Sequence, residues 1–325
     1  MSYCRTSVVL WIVCLYALLG RGTVDGRPNF LLFLVDDLRS DSLGCMGHPF
    51  ARTPNLDRLS RRGITFDQAF STSANPQASL AEALTGSRIA WEEGTPEDPS
   101  RLVAQEGMIA RFAAEGYQVG WLGNGSLMDR AGSEILPSLV SEGAGFQDWL
   151  GAGDSFFATA TQSPNRPFFL TTFFQAKELY SMLDGEERSP YVFDERFAGM
   201  LYEGEDIVAP PLSESAFVEK LPVFLKRSLN RRSWDSVSPT RSAQEEFRLS
   251  YFRRVSSIDR LVGGLLALME KKGLKSETIV VFMSLNGVFL GERGLGGSWL
   301  PHEAAIRTAF LWYDFRIPME KRGRR

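Results

Sequence analysis

The residues best suited to chemistry are Asp36 and Asp37, two adjacent carboxylates that end the apolar run NFLLFLVDD at positions 29–37. Two acidic side chains side by side repel each other unless a cation or a basic partner neutralises them, which points to a hard metal ion held through oxygen. The alternative reading is a solvated strand end that caps the following helix. His48 and His302 are the only histidines in the chain, so a His-rich metal or acid–base site is excluded.

These carboxylates need elements to position them. The apolar residues 30–35 are too few for a membrane span and have no helical period, so they read as a strand buried on both faces. Ligand sites in open α/β sheets lie beyond the carboxyl ends of such strands, where the Asp pair falls. TPNLDRLSRRG at 53–63 reads as a helix with Thr53 as N-cap, Pro54 at N1 and Gly63 beyond its end. A strand is expected at 64–70. A second helix starts with Asn75 as N-cap and Pro76 at N1, and stops at Gly86. Further helix is expected over 101–115 and further strands over 117–122 and 168–174. The pattern weakens between 180 and 240 into Pro, Ser and charge, with room for short helices only. Ser242 and Glu245 read as the capping box of a long helix whose apolar stripe runs through Phe247, Tyr251, Val255, Ile258, Val262, Leu265 and Met269. Strands are expected again at 278–283 and 309–313. Alternating strands and helices give the fold class α/β, a mixed, mostly parallel sheet flanked by helices.

The totals narrow the function. A chain of 325 residues, 44% hydrophobic, has ample material for a large core. A net charge of −3 argues against a nucleic-acid partner, which requires a basic face. Residues 1–22 read as a secretory signal: Arg5 precedes an apolar stretch at 8–19, and Gly20 and Gly22 supply small residues for cleavage. That implies a secreted or periplasmic protein without a stable membrane span after cleavage; a retained, uncleaved anchor is the alternative. Cys4 and Cys14 lie in the signal, which leaves Cys45 as a buried small hydrophobe.

The stretch RPNFLLFLVDDLRSDSLGCMGHPFARTPNLDRLSRRGITFDQAF resembles the opening of the sulfatase family, within the alkaline phosphatase superfamily and closest to iduronate-sulfatase-like members. ALTG, RFAAEGYQVGWLG, RPFFLTTFF, LYEGEDIVAPP, YFRRVSSIDRLVGGLLALMEKKGL and TIVVFMSLNGVFLGERGL follow in the family's order. The resemblance implies a sulfatase-like α/β domain over 27–318, a basic tail at 319–325, and a smaller C-terminal subdomain in the family that this sequence does not supply.

Sulfatases of this family use a formylglycine made from Cys or Ser in a C/S-x-P-S-R stretch, with Ca²⁺ and basic side chains around the ester. Counting ten residues from Phe66 and ten back from Gly86 puts the nucleophile at Pro76 and the motif Arg at Leu80. Neither residue can do that work, so no formylglycine and no catalytic residue is expected. Shifting the register to Ser73 or Ser79 loses the Pro and Arg offsets. The Lys after the GY-strand becomes Asn124. The F-H-x-P-H stretch becomes Phe174, Gln175, Ala176, Lys177 and Glu178. The late Lys-His pair falls on Ser298 and Trp299. Of the implied metal ligands Asp36, Asp37 and Asn286 persist, while a further Asp has become Leu285, so Ca²⁺ binding is expected to be weak or lost. Arg39, or solvent, would then answer the Asp pair.

Three functions compete on this basis. A degenerate homologue, acting as a binding or scaffolding module for a sulfated glycan, a small sulfate ester or a partner protein, ranks first, and an active sulfuric ester hydrolase with an unusual nucleophile second. A phosphoryl-transfer enzyme, which leans harder on metals, is a distant third.

Overall fold

The computed structural model describes residues 26–88, 107–123, 140, 144–175, 202, 207, 209–213 and 215–317. The expected signal at 1–22 and the tail at 319–325 lie outside them. The first half carries β1 (Asn29–Val35), α1 (Pro54–Arg62), β2 (Ile64–Phe66), α2 (Pro76–Thr85), α3 (Met108–Ala114), β3 (Gln118–Leu122), α4 (Phe146–Thr161) and β4 (Phe168–Phe174). Three short helices follow: α5 (Ser215–Glu219), α6 (Val223–Lys226) and α7 (Leu229–Val237). After them come the long α8 (Arg241–Lys271), β5 (Thr278–Ser284), β6 (Phe289–Leu290), β7 (Gly296–Gly297), α9 (Glu303–Ile306) and β8 (Phe310–Asp314).

Six of these strands form one sheet in the order β2-β8-β5-β1-β4-β3. The strands β5, β1, β4 and β3 run parallel, and β8 and β2 close one side antiparallel. This is the mixed, mostly parallel sheet expected from the alternation of elements. β1 lies near its centre, and all seven of its residues are buried, because helices cover both faces. Leu31, Phe33 and Val35 meet Leu56, Phe157, Tyr251, Ile258 and Leu265 of α1, α4 and α8. Phe30, Leu32 and Leu34 meet Leu80, Leu84, Ile109 and Phe112 of α2 and α3. Each such side chain fully removed from water stabilises the fold by about 1.5–3 kcal/mol relative to exposure.

Three details depart from expectation. The strand after α1 ends at Phe66, and Phe70 makes only an isolated bridge to Arg307. The long helix starts two residues early: Thr240, not Ser242, is its N-cap, and its side chain accepts from the Ala243 N–H at 3.2 Å. The third departure is α4, which has no counterpart in the expected pattern. It carries Gly151 and Gly153, poor helix formers, yet it packs along α8. A Cβ on Gly153 would lie 2.3 Å from Leu265 Cδ2, and one on Gly264 of α8 would lie 2.7 Å from Leu150 Cδ2. Gly153 and Gly264 let the two helices approach, whereas a Cβ on Gly151 would meet nothing within 4 Å.

Among the described residues, no helix is long and apolar enough to cross a membrane.

Candidate functional site

The parallel register decides where the site lies. Val35 at the end of β1 stands beside Phe174 of β4 and Ser284 of β5. The chain continues this pairing one step further: the Asp36 N–H donates to the Phe174 carbonyl at 3.3 Å, and the Leu285 N–H donates to the Val35 carbonyl at 2.7 Å. Asp36, Asp37 and Asn286 therefore converge at the carboxyl end of the sheet although they lie far apart in sequence.

Asp37 takes a left-handed backbone conformation, φ +48°, which a non-glycine residue adopts only where its surroundings enforce it. Asn286 does so. Its Nδ2 donates to Asp37 Oδ1 at 2.7 Å and to the Gly287 carbonyl at 2.9 Å, its Oδ1 faces the Asp37 N–H at 3.4 Å, and its own carbonyl accepts from the Leu38 N–H at 3.0 Å.

Neither carboxylate faces solvent: Asp36 is 4% and Asp37 5% exposed. Nor does Arg39 answer them. Its Nε and Nη2 donate to Asp41 at 2.7 and 2.6 Å, and its Nη1 pairs with Glu292. A cation that does meet the pair, at Asp36, is Arg254 of α8, 1% exposed. Its Nη2 meets Asp36 Oδ1 at 3.2 Å, and both terminal nitrogens reach the Asp36 carbonyl at 3.1 Å. Nη2 also donates to the Phe174 carbonyl at 3.2 Å. One guanidinium thus ties the ends of β1 and β4 to the long helix.

Arg254 carries a signal in the sequence. It lies three residues after Tyr251 and four before Ile258, on the apolar stripe itself. Asp259 breaks the same face. Its carboxylate accepts from the Asn55 N–H at 3.0 Å, the Leu56 N–H at 2.8 Å and Asn55 Nδ2 at 2.8 Å, and so caps α1 from another helix. Thr53, the expected N-cap, makes no capping bond; its hydroxyl donates to Asp57 instead. Burial pushes the Asp259 carboxyl up to about 6 against these donors. Burial also pushes the Tyr251 phenol up to about 12, leaving a neutral hydroxyl that donates to Ser42 and accepts from the Arg39 N–H. Cys45 is a free thiol, only partly buried, and burial pushes it up to about 11.

The second half of the site is the start of α2. Asn75 caps it as expected, its Oδ1 accepting from Gln77 and Ala78 N–H groups at 2.9 and 3.1 Å. Pro76 is buried at the first helical position, and Leu80 sits in the apolar core against β1. Ser79 is buried, its hydroxyl donating to the Ser73 carbonyl at 2.8 Å and lying 3.0 Å from that of Ser71. Thr72 donates to Glu82. The Trp299 N–H donates to the Ala74 carbonyl at 2.9 Å, which brings Ser298 and Trp299 to this helix end. Asn230 of α7 holds that loop by donating to the Gly296 and Ser298 carbonyls at 2.8 and 2.5 Å. Trp299 is 44% exposed. Gln175 is exposed; Asn124, Ala176, Lys177 and Glu178 lie outside the described residues.

A calcium ion takes about six to eight oxygens, and the groups present do not fit it. Asp36 Oδ1 is engaged by a guanidinium, Asp37 Oδ1 by an amide NH₂, and Leu285 is buried in the apolar core. Among the described residues, no three His, Cys, Asp or Glu cluster as ligands.

A sulfatase family model matches residues 28–319. Similar proteins include an arylsulfatase of Clostridium perfringens, 24% identical over 89% of this chain and 69% of its own length. The N-acetylglucosamine-6-O-sulfatase of Bacteroides thetaiotaomicron is 23% identical over 82% and 59% respectively, and arylsulfatase A of Homo sapiens 27% identical over 80% and 52%. The chain thus spans between about half and about two thirds of the length of these relatives. Among solved structures, a complex with D-glucosamine-2-N,6-O-disulfate aligns with TM-score 0.67 at 18% identity, covering 89% of this chain and 71% of that one. A phosphonate monoester hydrolase from Silicibacter pomeroyi aligns with TM-score 0.66 at 16% identity, covering 88% and 68%. Both likenesses speak to the fold alone. From the match across residues 28–319, the chain belongs to the sulfatase family.

Proposed function

We propose that this chain is an exported sulfatase homologue that has lost ester turnover and keeps its folded shell as a binding module for a sulfated glycan or a small sulfate ester. The observation that carries this reading is Pro76, buried at the first position of an intact, well-capped α2. Proline has no side-chain oxygen or sulfur to attack an ester. The neighbouring replacements point the same way: Leu80 brings no charge, and Trp299 offers at most an N–H. Removing one charge-stabilising donor from such a site typically costs a factor of about 10²–10³ in rate. In this reading, Ca²⁺ binding at Asp36, Asp37 and Asn286 is weak or lost. The ligand class follows from relatives whose names specify a sulfated hexosamine, and export from the apolar segment at 8–19.

Purified protein incubated with 4-nitrophenyl sulfate and with glucosamine 6-sulfate is expected to release no sulfate above a buffer blank. Turnover that disappears in Ser73→Ala, Ser79→Ala or Thr72→Ala would establish an active hydrolase with an unusual nucleophile instead. Export is checked by N-terminal sequencing of the extracellular or periplasmic protein, expected to begin just after residue 22; a full-length cytoplasmic chain would contradict it.

A further inference from the structure

We infer that Arg254 is a built-in counter-cation that holds the Asp36–Asp37 pair in place of a divalent metal. The inference deepens the reading of a degenerate homologue and rests on it for the identity of the pair as a former metal site. Three observations carry it.

The first is how completely the guanidinium is committed. Its terminal nitrogens donate to the Asp36 carbonyl, to Asp36 Oδ1 and to the Phe174 carbonyl, all within 3.2 Å. Arginine keeps its charge even when buried, so this positive charge is permanent.

The second is position. A calcium ion bound through Asp36 Oδ1 at the usual distance would lie within about 6 Å of Arg254 Nη2, with almost no water between them to screen two like charges. The guanidinium cannot swing clear easily. It extends from the buried face of α8, which Asp259 ties to the start of α1 and whose stripe is packed against β1.

The third is Asn286. The Gly287 carbonyl can only accept, so it fixes the amide with its NH₂ toward Asp37. A metal on Asp37 would meet a donor there rather than an oxygen. One buried arginine and one turned amide thus each engage a carboxylate oxygen of the pair from within the chain.

The test is a calcium titration by calorimetry, with thermal melts in chelator and in millimolar Ca²⁺, on the full chain and its variants. The unaltered protein is expected to give no binding heat and the same melting temperature in both solutions. Arg254→Gln is expected to melt lower in chelator and to recover part of the loss in Ca²⁺; Asp36→Asn added to it should abolish that recovery. Should Arg254→Gln not fold, Arg254→Lys, which keeps the charge, must fold with a melt indifferent to Ca²⁺, and a calcium-dependent melt in it would overturn the inference. Micromolar binding by the unaltered protein, lost in Asp37→Ala, would overturn it too, as would a folded Arg254→Gln indifferent to Ca²⁺. Sulfate-ester turnover by metal-free protein would refute the loss of activity and leave the role of Arg254 standing.

Discussion

Arg254 and Asp36 form an ion pair at 3.2 Å with both side chains almost wholly withdrawn from water. The pair joins the carboxyl end of the central strand to the longest helix. Breaking a buried pair by removing one partner leaves an uncompensated charge and costs about 3–5 kcal/mol, whereas removing both is often far cheaper. Arg254→Met is therefore expected to lose about that much stability, and Arg254→Met combined with Asp36→Asn to lose clearly less. Urea unfolding of the two single variants and the double variant checks this, and additive losses would contradict it.

Asp259 supplies a pH dependence with a definite sign. Its folded carboxyl, pushed up to about 6 by burial, lies above the ordinary 3.8. Its contribution therefore favours folding below about pH 4 and is lost as the pH rises through about 6. Relative to Asp259→Asn, which does not titrate, the parent should lose roughly 2 kcal/mol between pH 4 and pH 7. Urea melts of both proteins at the two pH values decide it; a difference that is flat or of opposite sign would show that the helix-capping donors outweigh burial.

The contact between α4 and α8 depends on glycine. Gly153→Ala places a methyl 2.3 Å from Leu265 Cδ2, and overpacking of this kind costs about 1–3 kcal/mol. The gain in helix propensity from the same change is about 1 kcal/mol. The net expectation is a lower urea midpoint, partly restored by Leu265→Val. A higher midpoint would mean that the helices separate without cost.

Asn75 caps α2 with two hydrogen bonds from its side chain. Asn75→Ala should cost about 1 kcal/mol, within a range of about 0.5–2. Asn75→Ser should retain most of the stability. Thermal melts of both variants test whether the start of this helix is held by its cap or by the packing of Pro76 and Leu80.

Local chemistry was plain in the sequence. β1 and β4 were read from their continuous apolar runs because strands buried on both faces leave no alternation. Asn75, Pro76 and Gly86 marked α2 because caps are short-range bonds between near neighbours. The family resemblance, carried by motifs in order, implies that Pro76, Leu80 and Trp299 take the positions of the family's catalytic groups. What answers Asp36 was decided by tertiary structure. Arg39, close in the chain, is drawn off by Asp41 and Glu292, while Arg254, 218 residues away, arrives because α8 crosses the end of β1. The cap of α1 was likewise not the nearby Thr53 but Asp259 on α8. α4 was hidden because glycines blur its helical pattern, one of which, Gly153, serves the neighbouring helix rather than its own backbone. Sequence determines bonds between residues a few positions apart; a buried charge is satisfied by whichever group packing brings within hydrogen-bond reach, and only the fold supplies that distance.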